Sequence, residues 1–127
     1  IVWVFGCPGG RGMHSRRDLG TCAGEHADYI YLTADDPCGK SVTDICNDII
    51  TFIKPYNKPY EIIADRKTAI IKALEERQPN DVLVIIGKGS EVYQMAEVGY
   101  DDYQGDMNIV KEYINNKEGM LNEKIKC

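Results

Sequence analysis

The sequence lacks the features of a membrane protein, a nucleic-acid-binding surface or a disulfide-bonded secreted domain. No apolar run approaches the roughly 18 residues of a membrane-spanning helix, and no charged-then-apolar leader opens the chain. Lys and Arg number 15 against 20 Asp and Glu, and this net charge of −5 argues against a broad phosphate-binding surface. The five cysteines include no Cys-x-x-Cys pair, which favours a reduced cytoplasm. We expect no membrane, nucleic-acid or metal site.

The sequence also lacks a complete nucleotide-binding motif. Gly87-Lys88 has no glycine five positions before it and is followed by Gly89, so it does not form a Gly-x-x-x-x-Gly-Lys-[Ser/Thr] phosphate loop. No complete Gly-x-Gly-x-x-Gly follows the first apolar run. The chain therefore shows no nucleotide chemistry of its own, and its start at Ile1, without methionine and inside a strand-like run, suggests a domain of a longer protein.

What the sequence contains is a regular alternation of apolar strand-like runs and amphipathic segments. The predicted strands are 1–5, 28–33, 60–64 and 82–86. The predicted helices are 16–26, 41–53, 65–77 and 107–115, the second capped by Ser41 and the third by Asp65. Four such units in 127 residues predict one α/β domain with a doubly wound, mostly parallel sheet and helices on both faces.

Three polar segments follow predicted strands, at 6–20, 33–39 and 87–94. Loops at the carboxyl ends of parallel strands lie at one edge of the sheet, so we expect the three to form one crevice. The first is rich in glycine, and Arg11, Arg16 and Arg17 suit a small anion, although an ordinary turn with solvated arginines stays open. The second places Asp35 and Asp36 before a proline, where a turn bonding its own backbone is the alternative.

In the third segment, Gly87 lets the chain leave the sheet tightly and Lys88 supplies a cation nearby. Glu91 is predicted at the start of a following helix, where an acidic residue is favourable whatever the function. Tyr93 and Gln94 are interpreted as packing and capping residues of that helix.

Together these segments resemble the C-terminal domain of the Mur ligases, in particular the tripeptide-synthetase type, MurE. The resemblance is carried by Gly6-Cys-Pro-Gly-Gly-Arg-Gly12, Ser15-Arg-Arg-Asp-Leu-Gly20, Ala34-Asp-Asp-Pro37, Asp65-Arg66 and Gly87-Lys-Gly-Ser-Glu-Val-Tyr-Gln94. It runs from residue 1 to about 114. It implies a Rossmann-like amino-acid-binding domain over 1–116 and a polar tail over 117–127.

The resemblance implies an ATP-dependent ligase of peptidoglycan precursor synthesis in the bacterial cytoplasm. A central domain would provide most of the contacts to ATP and Mg²⁺, and an N-terminal domain would bind the UDP-muramoyl dipeptide. The dipeptide's D-glutamate carboxylate becomes an acyl phosphate that the incoming amino acid's amine attacks. This chain would bind that amino acid, contribute no catalytic residue, and be inactive alone.

Residue by residue, Arg11 matches the family's contact to the amino acid's carboxylate, and Gly87 and Glu91 lie in the matching third motif. Asp35 and Asp36 match the start of the Asp-Asn-Pro-Arg motif of enzymes that add diaminopimelate, and Cys38 replaces its arginine. The loss of that guanidinium favours lysine, although Lys40 could substitute for it.

The resemblance also places Arg16 or Arg17 near ATP. Three alternatives stay open: a diaminopimelate-adding enzyme, another Mur or folylpolyglutamate-type ligase, and a non-enzymatic nucleotide- or metabolite-binding module.

Overall fold

A four-stranded, all-parallel sheet forms the centre of the protein. The structure, a computed structural model, describes residues 1–9, 13–88, 91–95 and 100–126. The sheet strands are β1 (Val2–Phe5), β2 (Tyr29–Leu32), β3 (Tyr60–Ile62) and β4 (Leu83–Ile85), and they lie in the spatial order β3-β2-β1-β4. The register pairs Val4 with Tyr31 on one side and with Ile85 on the other. The four predicted strands are thus confirmed.

Helices cover both faces of this sheet. The helices are α1 (Met13–His26), α2 (Val42–Ile53), α3 (Arg66–Glu76) and α4 (Asp106–Lys126), and a 3₁₀ turn, Lys54–Tyr56, follows α2. Successive strand residues point to opposite faces. Phe5 and Ile30 accordingly pack with the apolar stripe of α2, whereas Val4 and Tyr31 pack with that of α3. The predicted doubly wound α/β class is confirmed.

Local capping sets where two of these helices begin. The Ser41 side chain accepts a hydrogen bond from the Asp44 backbone N–H at 3.3 Å. Asp65 accepts one from the Thr68 backbone N–H at 2.9 Å. Each satisfies a donor that the first helical turn would otherwise leave without a partner, and both predicted caps are confirmed.

Three elements differ from the sequence prediction. Helix α1 begins at Met13 rather than at residue 16, and α4 continues to Lys126 rather than ending at 115. Its last turns are rich in Lys, Glu and Asn, and the residues among them with good helix propensity favour this extension. The backbone at 117–126 is therefore helical, and the domain limit at 116 stays a prediction.

The third difference is an antiparallel hairpin of β5 (Tyr93–Met95) and β6 (Tyr100–Asp102). The prediction of a helix starting at Glu91, with Tyr93 and Gln94 inside it, was wrong. Val92 and Tyr93 are residues that favour strands, and pairing with residues 100–102 provides hydrogen-bond partners for the backbone of 93–95. In the part of the chain that the structure describes, no helix has the length and apolarity to cross a membrane.

Candidate functional site at the carboxyl edge of the sheet

The loops after β1, β2 and β4 lie at the edge where the winding of the sheet reverses. Helices α1 and α2 cover one face and α3 and α4 the other, so the reversal falls between neighbouring strands β1 and β4. Open α/β sheets bind ligands at this position because the two loops diverge there and leave a crevice. The predicted convergence of the three loops therefore has the required topology.

The loops after β1 and β2 touch through their backbones. The Gly9 N–H donates to the Asp36 carbonyl at 3.1 Å, and a Cβ at Gly9 would overlap the Pro37 carbonyl. Only glycine allows so close an approach. Residues 10–12, including Arg11, lie outside the described residues, so the role of Arg11 stays a prediction.

The loop after β2 has an unusual backbone. Asp36 and Cys38 both have positive φ, 47° and 51°, in the left-handed region that non-glycine residues seldom adopt. The Lys40 N–H closes the turn by donating to the Pro37 carbonyl at 3.0 Å. Such conformations persist where the surroundings hold them, and they concentrate at binding sites.

The loop after β4 approaches the same aspartates. Gly87 has φ of 120°, and a Cβ there would overlap a carboxylate oxygen of Asp35. The Glu91 N–H donates to the Lys88 carbonyl at 2.9 Å. Asp35 therefore packs against bare backbone, and Lys88 and Glu91 lie beside the β2 loop.

Lys88 is a buried cation between two carboxylates. Its side chain is 0% exposed; its Nζ contacts Asp36 Oδ1 and lies 3.2 Å from Glu91 Oε2. The side chains of Asp36 and Glu91 are 23% and 41% exposed. The structure thus brings Asp35, Asp36, Gly87 and Glu91 together, with Lys88 inside the cluster rather than mobile beside it.

Burial raises the pKa of the Asp35 carboxyl. The positive charges of Arg66 and Lys88 lower that pKa, and the carboxylates of Asp36 and Glu91 raise it again. Asp35 is therefore an acid whose charged form is disfavoured in this cluster, and an arriving cation would stabilise it.

Arg66 is the site residue whose role the sequence analysis did not identify. Its guanidinium, 1% exposed, donates from Nε and Nη2 to the two carboxylate oxygens of Asp106 at 2.9 and 2.7 Å. It also donates to the Ala34 and Ile86 carbonyls, each at 2.9 Å. Arg66 thus joins the end of β2, the end of β4 and the start of α4. The sequence signal that could have pointed to this role was the position of Arg66 directly after the Asp65 cap. It is a weak signal, because an arginine at the first position of a helix is usually exposed.

The Arg66–Asp106 pair is strongly fixed. Burial lowers the pKa of Arg66, but hydrogen bonding and the charge of Asp106 outweigh it, so the net shift is upward. Tyr103 also donates its hydroxyl to Asp106. The two opposite charges of the pair offset each other, so it adds no net charge to the site.

The two arginines that the resemblance places near ATP, Arg16 and Arg17, differ in exposure. Arg16 is buried; it donates to Asp48 at 2.7 Å and approaches the Pro8 and Gly9 carbonyls at 3.4 Å, so it supports the first loop. The Arg17 side chain is 58% exposed, with Nε 3.4 Å from Asp18 Oδ1. Arg17 is the more accessible of the two, and contact of either with ATP stays a prediction.

Cys38, the position that departs from the motif, is exposed and carries a free thiol. The Lys40 side chain, two residues further along the same loop, passes close to Gly9.

Within the described ranges, no group of three His, Cys, Asp or Glu side chains is arranged to hold a metal ion. An apolar hollow of about 300 Å³ lined by Ile85 and Val110 lies between β4 and α4, apart from the three loops.

The fold and the cluster together define a doubly wound α/β domain with three carboxylates and a buried lysine gathered near its switch point. A family described as "Mur ligase, glutamate ligase domain" matches residues 1–89. The chain belongs to the Mur ligase family, as its C-terminal domain, which confirms the resemblance.

The names of the relatives include both lysine and diaminopimelate ligases. The chain is 35% identical over 116 residues to a UDP-N-acetylmuramoyl-L-alanyl-D-glutamate–L-lysine ligase of Streptococcus agalactiae, covering 90% of this chain and 23% of that protein. It is 37% identical over 120 residues to a UDP-N-acetylmuramoyl-L-alanyl-D-glutamate–2,6-diaminopimelate ligase of Caldanaerobacter subterraneus, covering 92% and 24%.

A solved structure of a UDP-N-acetylmuramoyl-L-alanyl-D-glutamate–2,6-diaminopimelate ligase superposes with a TM-score of 0.80 at 29% identity, covering 92% of this chain and 24% of that one. The chain thus spans about a quarter of the length of these relatives.

Proposed function

We propose that this chain is the amino-acid-binding domain of an ATP-dependent ligase that adds L-lysine to UDP-N-acetylmuramoyl-L-alanyl-D-glutamate. The single observation that carries the choice of lysine is Cys38, an exposed residue without charge at the position where the diaminopimelate motif has arginine. Both kinds of ligase occur among the relatives, so the amino acid must be argued from the site itself.

The charges of the cluster support an ammonium-bearing side chain. Asp36 and Glu91 contact one buried ammonium, that of Lys88, whose charge also acts on Asp35, while Arg66 is paired with Asp106. Three carboxylates against one ammonium leave an excess of negative charge in a half-buried place. The side-chain ammonium of lysine offsets that excess, whereas diaminopimelate adds a carboxylate that must be desolvated beside the acids.

The remaining roles are assigned from the family resemblance and, for the arginine near ATP, from exposure. Arg11 binds the amino acid's α-carboxylate, and Arg17, the exposed arginine, reaches the ATP of the central domain. ATP and Mg²⁺ are held mainly by that central domain, and the reaction takes place in the bacterial cytoplasm. The described residues of this chain supply no group that could form the acyl phosphate, so the chain by itself is inactive as a ligase.

The test is an exchange of one residue in the full-length ligase that contains this chain. Phosphate release is measured at saturating ATP and UDP-muramoyl dipeptide with lysine and with meso-diaminopimelate at matched concentrations. The wild type should prefer lysine. Cys38→Arg should lower kcat/KM for lysine and raise it for diaminopimelate, since a guanidinium then meets the second carboxylate.

Cys22→Arg, on α1 away from the three loops, is the matched control and should leave the ratio between the two amino acids unchanged. A wild-type preference for diaminopimelate would contradict the proposal. It would instead favour Lys40 as the cation that meets the far carboxylate.

A further inference from the structure

Two cations connect the loop after β2 with the loop after β4, and they do so at different depths. Arg66 binds backbone carbonyls, those of Ala34 and Ile86, where each loop begins. Lys88 binds side-chain carboxylates, those of Asp36 and Glu91, further along the same loops. The two connections therefore fix different things: the path of the backbone and the position of the acids.

The backbone of these loops is fixed without Lys88. Arg66 also bonds both oxygens of Asp106 at the start of α4, so its position is set from three directions. The Glu91 N–H bond to the Lys88 carbonyl involves main-chain atoms alone. Loss of the Lys88 ammonium would leave these main-chain contacts in place.

The positions of the Asp36 and Glu91 carboxylates, by contrast, depend on the Lys88 ammonium. Asp36 Oδ1 and Glu91 Oε2 contact the same Nζ, so two carboxylates from different loops lie within a few ångström of each other. Without a cation between them, two like charges at that separation repel and move apart. Nearby Asp35, already disfavoured as an anion, would add to the repulsion.

Resting on the proposed function, we propose that Lys88 is a positioning residue of the amino-acid site. Its buried ammonium holds Asp36 and Glu91 together in the absence of substrate, at the separation in which they also accept the ammonium of the incoming amino acid. A preset arrangement lowers the ordering that substrate binding must otherwise supply.

The test compares Lys88→Met and Lys88→Arg in the full-length ligase, with kcat and KM for lysine measured separately. Lys88→Met has a similar length but no charge; it should raise KM about 10- to 100-fold, the range of a hydrogen bond to a charged group, with a much smaller change in kcat. Lys88→Arg keeps a positive charge and several donors, and it should restore most of the affinity.

Lys72→Met is the matched control. Lys72 likewise contacts two carboxylates, Glu61 and Glu76, the latter at 3.6 Å, but it lies on α3 outside the three loops and is 38% exposed. It should leave KM unchanged. Thermal unfolding should show Lys88→Met melting below Lys72→Met, because it leaves two partly buried carboxylates without their cation, but still folded at the assay temperature; Lys88→Arg should melt close to the wild type.

A pH profile separates positioning from simple stabilisation. Lys88 is one of the charges that lower the pKa of Asp35, together with Arg66 and against burial, Asp36 and Glu91; the Cys7 thiol also lies near it. Loss of the ammonium raises that pKa. The acid limb of kcat/KM for lysine should therefore move to higher pH in Lys88→Met and stay in place in Lys72→Met.

Each outcome decides between the two roles. A Lys88→Met enzyme with unchanged KM overturns the proposal. So does one that loses kcat and thermal stability together at every lysine concentration, because Lys88 would then stabilise the fold. A wild-type enzyme that turns over no amino acid would instead refute the proposed function.

Discussion

Replacing Arg66 with methionine should be among the most destabilising single changes in this domain. The guanidinium is 1% exposed and makes four hydrogen bonds, two to Asp106 and two to the Ala34 and Ile86 carbonyls. Methionine fills a similar length but leaves the Asp106 carboxylate, also buried, without its cation. Removal of one partner of a buried ion pair costs about 3–5 kcal/mol.

The assay is denaturant unfolding of the chain, followed by the fluorescence of its single tryptophan. Trp3 lies on β1 and packs edge-on against Phe5, with ring centroids 6.2 Å apart, so its emission reports on the core. A loss of about 3–5 kcal/mol corresponds to a fall in melting temperature of roughly 10–20 °C for a domain of this size. Arg17→Met, at an exposed arginine, should change stability by less than about 0.5 kcal/mol.

A double variant tests the reason as well as the size. Arg66→Met with Asp106→Leu removes both charges, so it should recover part of the lost stability, because the penalty comes mainly from the stranded carboxylate. The reasoning is refuted if Arg66→Met costs less than about 1 kcal/mol, or if the double variant is no more stable than the single one.

Two further changes probe the loops. Gly87→Ala should lower stability by about 1–3 kcal/mol, because φ of 120° is strained for alanine and its Cβ would displace Asp35; chemical unfolding measures it. Asp35→Asn should raise stability at neutral pH, because burial raises the pKa of Asp35 and its ionised form therefore weakens the folded state. That gain should shrink as the pH falls through the folded pKa of Asp35 towards its unfolded value of about 3.9, because the wild-type acid becomes protonated there. Unfolding curves of the wild type and of Asp35→Asn at neutral pH and at a pH near the unfolded pKa measure the difference.

Matched controls exist for both changes. Gly119 lies in α4 with open space around its Cβ position, so Gly119→Ala should leave stability unchanged or raise it by up to about 1 kcal/mol. Asp18→Asn alters an exposed acid and should have little effect at either pH. A Gly87→Ala protein as stable as the wild type, or an Asp35→Asn protein less stable at neutral pH, would contradict the account of the site.

The elements that the sequence predicted are those specified by neighbouring residues. The strand at 82–86 is an unbroken apolar run, and the Ser41 and Asp65 caps bond within three residues of themselves. The order of the loops follows from the topology of any parallel sheet. These features need no knowledge of distant contacts, which is why the strands, the caps and the common edge were predictable.

The features that sequence reasoning missed depend on residues far apart in the chain. Arg66 and Asp106 are separated by 40 positions, and Lys88 and Asp36 by 52. A lysine between two glycines is usually solvated, and its burial here goes with a contact to Asp36, which is far away in the sequence. The β5–β6 hairpin likewise depends on cross-strand pairing with 100–102, which the local pattern around Tyr93 does not reveal.

Several features that are unfavourable for the stability of the folded domain lie in the loop after β2. That loop carries two residues with left-handed backbones, Asp36 and Cys38, and a carboxyl whose charge is disfavoured, Asp35. Arg66 and Lys88, from two other segments, offset these costs through the carbonyl of Ala34 and the carboxylate of Asp36. Since stability alone would favour a relaxed turn without buried acids, the arrangement is better explained by binding. In the proposed function, the ammonium of the incoming amino acid would reduce the repulsion among these carboxylates.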